Sequence, residues 1–361
     1  MEQDLLGNNI FTINTNYTNS LDYKENVTAF YSQFGSKISK FSYLLGLRFE
    51  DSKIIINQLT TQDFNTKKYN NLFPSAFLTY ELDEISSISL NYSKRITRPR
   101  DRFINPFSSY SSNINLFQGN PNLNPAYSDS YDLGYLKKWR KITLNTSLYF
   151  NKTSNSFQIV QLESGRFVNG NPVIINTPFN LATNNKFGFE FTLNYSPYKW
   201  WKLNSNFNFF SNTTNGKYTY TDATNTIETI DFKNSASNWF ARVSSKFNLP
   251  YKIDFQINGN YNAPQKTAQG NYKANASANL ALSKDVLKEK ATITFNVSDI
   301  FNSRKRISDL NLPNVHSYSE MQWRERQLTL SFTYRFNKAK NEKERQPKKE
   351  GDNSGGDDFS G

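Results

Sequence analysis

The feature that most limits what this chain can fold into is a two-residue alternation held over runs of about ten residues. "KFGFEFTLNY" puts Phe187, Phe189, Phe191, Leu193 and Tyr195 on one side and Gly188, Glu190, Thr192 and Asn194 on the other. "KIDFQINGNY" sets Ile253, Phe255, Ile257 and Tyr261 against Asp254, Gln256, Asn258 and Asn260. "RQLTLSFTYRF" sets Leu328, Leu330, Phe332, Tyr334 and Phe336 against Gln327, Thr329, Ser331, Thr333 and Arg335. A period of two is that of a β-strand, whose side chains point alternately to the two faces of a sheet. Strands of soluble proteins usually stop at about five or six residues, and sandwich domains turn every 8–12 or so. A tilted strand needs about nine to eleven residues to cross a bilayer. In such a strand the apolar face meets lipid, while Asn, Ser, Thr and Gln line a wet interior. The expected fold is therefore all-β, an antiparallel transmembrane β-barrel.

The connections supply a second line of argument. Fourteen strands are expected, at 9–18, 26–34, 41–51, 72–81, 85–96, 126–136, 142–152, 186–196, 202–212, 238–249, 252–262, 272–283, 289–299 and 326–336. Short connections near 35–40, 82–84, 137–141, 197–201, 250–251 and 284–288 alternate with longer ones near 19–25, 52–71, 97–125, 153–185, 213–237, 263–271 and 300–325. Outer-membrane barrels alternate in this way, with short periplasmic turns and long outer loops. Trp139, Tyr198, Trp200, Trp201 and Tyr251 all fall on the short-turn side. Amphipathic rings at one level are expected at a membrane–water boundary.

Composition agrees once the aromatics are weighed. Mean hydropathy over the 361 residues is −0.70, which alone suggests disorder, but 16% of the chain is aromatic. Disordered chains are poor in aromatics. There is no Cys, so disulfide and thiolate metal sites are excluded. The single His316 sits in a polar stretch and is expected to be a loop residue and not a metal ligand; no cofactor is expected. No apolar run of about 18 residues is present, so no transmembrane helix is expected. The N-terminal "MEQDLLGNNIF" has neither a basic head nor an apolar stretch and is not expected to be a signal peptide. The net charge of +12 is carried by residues 1–336, because 337–361 holds six basic and six acidic residues. The basic residues are scattered without a nucleic-acid motif, so the excess suits an anionic membrane surface and no nucleic-acid partner is expected. Residues 1–336 are read as the barrel domain and 337–361 as a disordered periplasmic tail.

Candidate sites follow from the loops. The connection 97–125 holds Arg98, Arg100, Arg102, Phe103, Phe107, Tyr110 and Phe117, and exposed Arg with aromatics suits ligand capture. The connection 300–325 offers Arg304, Arg306 and Trp323 in the same way. Gly119, Asn120, Pro121 and Pro125 restrict the backbone and are expected to brace the loop at the barrel rim. The carboxylates of Asp254 and Glu190 are expected to pair with Arg95, Arg242 or Lys246 across the lumen. No constellation of nucleophile, base and orienting group is visible, and the chain is not expected to be an enzyme.

Several segments then combine in order: "FPS" at 73–75, "YSKRITRP" at 92–99, "NPF" at 105–107, "GNPNLNP" at 119–125 and "SDIFN" at 298–302. Together they resemble the barrel of TonB-dependent outer-membrane receptors, in the β-barrel family form common in Bacteroidota. The resemblance implies a 22-stranded barrel with a plugged lumen, of which this chain would be the C-terminal part, without plug or signal peptide. It implies an integral outer-membrane location and TonB-powered uptake of a metal chelate, a glycan or a peptide. The alternative on the same fold is a passive pore or a structural surface barrel. A final strand ending in Tyr334 and Phe336 resembles the signal read by the barrel-assembly machinery. Membrane lipid, lipopolysaccharide, the TonB system and a surface lipoprotein are the partners the resemblance admits.

Overall fold

In a computed structural model of the chain, the residues described are 3–6, 10–13, 20–59, 62–107, 113–221, 225–267, 269–311 and 316–336. Thirteen long strands carry the architecture. They are β1 (Leu21–Ile38), β2 (Phe41–Gln58), β3 (Asp63–Asp83), β4 (Ser86–Thr97), β5 (Ala126–Lys138), β6 (Ile142–Val168), β7 (Asn171–Tyr198), β8 (Trp201–Thr221), β9 (Asn234–Leu249), β10 (Ile253–Asn262), β11 (Asn275–Val286), β12 (Ala291–Ser298) and β13 (Gln327–Tyr334). Each pairs antiparallel with the one before it, so the main sheet is a meander in chain order. The ladder does not close: β1 and β13 are its edges.

Thirteen of the fourteen expected strands stand in this sheet. The first, expected at 9–18, does not: Ile10–Ile13 pairs with Gln3–Leu6 in a separate two-stranded sheet, and 14–19 lie outside the described residues. The tail 337–361 also lies outside them. The outer connections 19–25, 52–71, 153–185 and 213–237 are corrected too. They are mostly paired strand, with β6 and β7 reaching 27 and 28 residues before turning at Asn169 and Gly170. Beyond the bilayer neither face must be apolar, so the alternation fades while the backbone goes on pairing. The connections 263–271 and 300–325 likewise contribute a four-stranded sheet, Gln265–Thr267, Gly270–Tyr272, Arg306–Asn311 and His316–Met321.

The two faces sort as the alternation requires. Leu45, Leu90, Leu133, Leu148, Phe189, Phe209 and Leu330 are exposed on the outward face. The apolar band crosses the rungs obliquely. One rung holds Phe34, Leu45, Tyr92, Tyr131, Phe150 and Phe187 outward, then ends in Ser211 and Ser237. A lower rung is apolar at the other end of the sheet, through Tyr195, Leu203, Ile257, Leu280, Val297 and Leu328. A level bilayer crossing tilted strands gives this diagonal, because rungs run perpendicular to strands. At the short-turn end, Trp139, Tyr198, Trp200 and Tyr251 are exposed, and Trp201 stacks on Phe247 at 6.1 Å. The indole N–H of Trp201 donates to Ser245 Oγ (2.9 Å), which satisfies a hydroxyl on the apolar face.

Candidate functional site on the inner wall

The segment between β4 and β5 does not stand away from the barrel. It begins with a one-turn helix, α1 (Asp101–Ile104), whose Ile104 is 2% exposed against Ile54 and Ile56 of β2. Residues 50, 52, 54, 56 and 58 of β2 are all buried. Their common parity is that of the inward face, so the loop lies over the inner wall. Its later part, Asn115–Phe117, pairs in parallel with Ile174–Asn176 of β7. The apolar "KIII" at 53–56 is the signal that sequence reasoning passed over: an inward-facing isoleucine pair needs a cover.

An ionic anchor holds the start of this loop. Arg98 Nη2 donates to Glu50 Oε2 (2.6 Å) and Ser52 Oγ (3.0 Å), and its Nε lies 2.9 Å from Glu25 Oε1. Arg48 Nε donates to the other Glu50 oxygen at 2.6 Å. Glu25, Glu50 and Ser52 belong to β1 and β2, so Arg98 reaches across β3 to two further strands. Arg102 lies with its guanidinium 4.4 Å from the Phe117 ring centre, and Phe103 packs on Phe117 and Phe157. Arg100 is exposed; Phe107 is half-buried, its N–H donating to Asn105 Oδ1; Tyr110 lies outside the described residues.

The Gly–Asn–Pro segment is tied into the same structure. Gly119 and Asn120 donate their N–H groups to the carbonyls of Asn105 and Phe103. A Cβ on Gly119 would stand 2.4 Å from the Asn105 oxygen, so the close approach needs glycine. Asn120 Nδ2 donates to the Pro178 carbonyl, Asn124 N–H to Asn180 Oδ1, and Lys67 Nζ to the Leu123 carbonyl. Pro125 is buried and Pro121 half-buried.

The second candidate loop is organised by Asp299, which is 2% exposed. It accepts the N–H groups of Ser303 (3.0 Å) and Arg304 (2.8 Å) and donates its own N–H to Asn279 Oδ1. Burial raises the Asp299 carboxyl, but the N–H donors of Arg304 and Ser303 outweigh it and leave it below the ordinary carboxylate value. Arg304 Nη2 also donates to Asn279 Oδ1, Arg306 lies over Tyr272 at 4.6 Å, and Trp323 is 79% exposed. His316, expected in a loop, opens the strand His316–Met321, its Nε2 lying 2.7 Å from Asp309 Oδ1. Tyr334 and Phe336 meet edge to face at 4.9 Å beside the free edge of β13.

The lumen carboxylates differ from expectation in part. Lys246 pairs with Asp254 at 2.9 Å. Glu190 takes neutral partners instead, accepting from Asn206 and Asn208 Nδ2 (2.9 and 3.1 Å). Arg242 lies 5.2 Å from the Phe240 ring centre. Tyr149 crosses Gly188, where a Cβ would meet its ring at 2.3 Å, and its hydroxyl donates to Asn208 Oδ1.

These residues belong to an inward block of three rungs over β7–β11. One rung runs Glu190, Asn208, Phe240, Asn262, Asn275. The next runs Thr192, Asn206, Arg242, Asn260, Ser277, and the third Asn194, Asn204, Ser244, Asn258, Asn279. Nine of these fifteen positions are Asn, so the wall here is neutral and rich in paired donors and acceptors. No group of three His, Cys, Asp or Glu side chains that could hold a metal occurs among the described residues.

Comparison with known proteins places this geometry. Residues 1–334 match the outer membrane protein beta-barrel family. No curated protein matches the chain in sequence. Among solved structures, the chain is similar to the ferric-catecholate import receptor Fiu from Escherichia coli K12 (14% identity, TM-score 0.58, 86% of this chain and 45% of that one). It is similar to the siderophore receptor PiuA from Acinetobacter baumannii (13%, 0.59, 87% and 44%) and to the copper transporter OprC (10%, 0.61, 92% and 51%). The chain thus spans about half the length of these proteins. At such identities the likeness is one of fold. The chain belongs to the outer membrane protein beta-barrel family and is an integral protein of the outer membrane.

Proposed function

We propose that the chain forms the wall and outer face of a receptor that takes up a scarce or bulky nutrient, powered from the inner membrane through TonB. The observation that carries this reading is the fit of the open thirteen-strand arc to barrels whose names are those of an import receptor, a siderophore receptor and a copper transporter. The loop folded over the inner wall supports it, since a receptor must narrow a wide lumen and present fixed groups to its ligand. A metal chelate, a glycan and a peptide are the ligand classes considered, and the reading assigns the chain no catalysis. The Gly119–Pro125 segment is read as the brace of this loop, and the aromatic C-terminus at Tyr334 and Phe336 as a contact for the assembly machinery. Lipopolysaccharide surrounds the wall, and a surface lipoprotein would meet its outer face.

Deleting the gene tests the proposal. Growth and uptake of ferric chelates, oligosaccharides and peptides are compared in the parent, the deletion strain and a strain lacking TonB. Uptake of one class should fall to background in both mutants. Flux that continues without TonB after the proton-motive force is collapsed would favour a passive pore instead.

A further inference from the structure

We infer that the two neighbouring turns β5–β6 and β7–β8 form a binding site for an anionic phospholipid of the inner, periplasm-facing leaflet. The inference stands on the wall of the barrel and goes beyond the receptor reading.

Charge gives the first sign. The six short connections hold nine basic residues and three acidic ones, which is half of the net charge of +12. Five of the nine fall in 137–141 and 197–201, where there is no carboxylate. The fold sets these two turns side by side. β6 pairs with β7 down to their lower ends, where the Ser196 N–H donates to the Lys141 carbonyl (2.8 Å). Lys137 is taken by Asp83 at 3.3 Å, and Lys138 has the inward parity. Arg140, Lys141 and Lys199 remain exposed, and none forms an ion pair with the described residues. Lys141 Nζ lies 5.6 Å from the Tyr198 ring centre. On the next turn Glu84 is the one carboxylate without a partner among the described residues. Three cations gathered against so little counter-charge repel one another, and an anion from outside the fold relieves that repulsion.

The rings beside these cations face lipid. Tyr198 and Trp200 stack at 5.4 Å and 5°, and Trp200 stacks on Phe247 at 6.3 Å. Phe247 pairs with Trp201 and shares the outward parity of Val243, which is exposed. Whatever fills the lumen lies against the other face of the sheet. β5 to β9 are paired on both sides, so strands that complete the barrel join at β1 and β13 and not here.

This surround selects the ligand. Amphipathic rings rest at headgroup level, so cations flanking them stand at the level of phosphate. Arg140 offers a planar fork of donors and the two lysines offer point charges, both of which suit a phosphodiester. Further along the outward face, Leu203, Leu193 and Leu144 continue the apolar wall on which acyl chains lie. Soluble phosphate draws nothing from the rings or the wall. A zwitterionic phospholipid brings an ammonium that the three cations repel. Lipopolysaccharide belongs to the opposite leaflet, beyond the hydrocarbon core of about 30 Å.

The test uses the protein extracted from outer membranes in detergent and stripped of lipid. Native mass spectrometry then follows titration with phosphatidylglycerol and, separately, with phosphatidylcholine of the same chains. Phosphatidylglycerol should bind more tightly. A variant combining Arg140→Gln, Lys141→Gln and Lys199→Gln should erase that preference, at about fivefold for each cation removed. A variant combining Lys284→Gln and Lys288→Gln, at a short turn that also holds Asp285 and Glu289, should keep it. Heat-modifiable gel mobility confirms that each variant is folded. The site is overturned if the parent binds both lipids equally or if the triple variant keeps the preference. It is also overturned if the Lys284 and Lys288 variant loses as much, which would make the effect one of general charge. Displacement of phosphatidylglycerol by inorganic phosphate would assign the turns to a soluble anion, and displacement by lipopolysaccharide would assign them to the other leaflet; either result overturns the proposal.

Discussion

At the scale of single residues, two buried or half-buried charges decide how the outer surface is held. Glu50 is 5% exposed and carries its charge only because Arg98 and Arg48 face its two oxygens. Removing one member of a buried pair leaves the other uncompensated and costs about 3–5 kcal/mol. Arg98→Ala should therefore lower the temperature at which the folded band is lost in heat-modifiability gels, whereas Arg100→Ala, on an exposed position, should move it little. Asp299 supports a pH prediction. Its folded-state value is depressed, so its contribution is complete at neutral pH. That contribution is lost as pH falls below the ordinary carboxylate value of about 3.9 and through the lower folded value. Asp299→Asn should destabilise the protein at pH 7, and the gap between the two proteins should close progressively below about pH 4. A gap independent of pH would assign the turn's stability to shape and not to charge.

At the scale of elements, the loop over the inner wall behaves as a packed part of the sheet. Ile104 fills the space over Ile54 and Ile56, and such a buried Ile is worth about 2–5 kcal/mol when truncated. Ile104→Ser should release the loop without unfolding the strands. The check is protease added to whole cells: cleavage between Arg98 and Pro125 should appear in the variant while the barrel still migrates as a folded species. The same element shows what the sequence made legible. The strands of the membrane zone were readable because lipid enforces strict alternation, as in Phe187–Tyr195 and Leu328–Phe336. Outside that zone the constraint disappears. The pairing of Thr153 with Ser128, or of Asn176 with Gln161, leaves no periodic trace, so strand was taken for loop. The anchoring of Arg98 was hidden for a different reason. Its partners Glu25 and Glu50 lie three and two strands away, and only the fold brings them together. The Asn positions of β8 and β10 were visible as polar faces. Their adjacency across β9 depends on register, which alternation alone does not set.

At the scale of the whole molecule, the oblique apolar band predicts how the sheet sits in the bilayer. The absence of Cys allows single-Cys variants without background reaction. Leu45 and Leu148 lie outward on neighbouring rungs and Leu282 on a much lower one, yet all fall within the diagonal band. A polarity-sensitive fluorophore at each should be quenched by lipids brominated on their acyl chains. Ser211 and Ser237 share a rung with Leu45 but lie above the band on β8 and β9, so labels there should be reached by water-soluble quenchers. If Ser211 and Leu45 behaved alike, the membrane would follow the rungs and the strands would stand upright. That outcome would conflict with the tilt of about 35–45° that closure of a barrel imposes. The edges bear on the same geometry. Phe30 and Phe34 on β1, and Leu328, Leu330 and Phe332 on β13, are more than half exposed beside unpaired backbone. In hydrocarbon each unpaired N–H or C=O costs several kcal/mol, so both edges must find strand partners in the membrane. Labels at Phe34 and Leu330 should then report lipid on the outward side and protection along the strand edge. Hydrogen exchange read over Leu21–Ile38 and Gln327–Tyr334 should show protected amides in native membranes; fast exchange there would mean that the edges stay open.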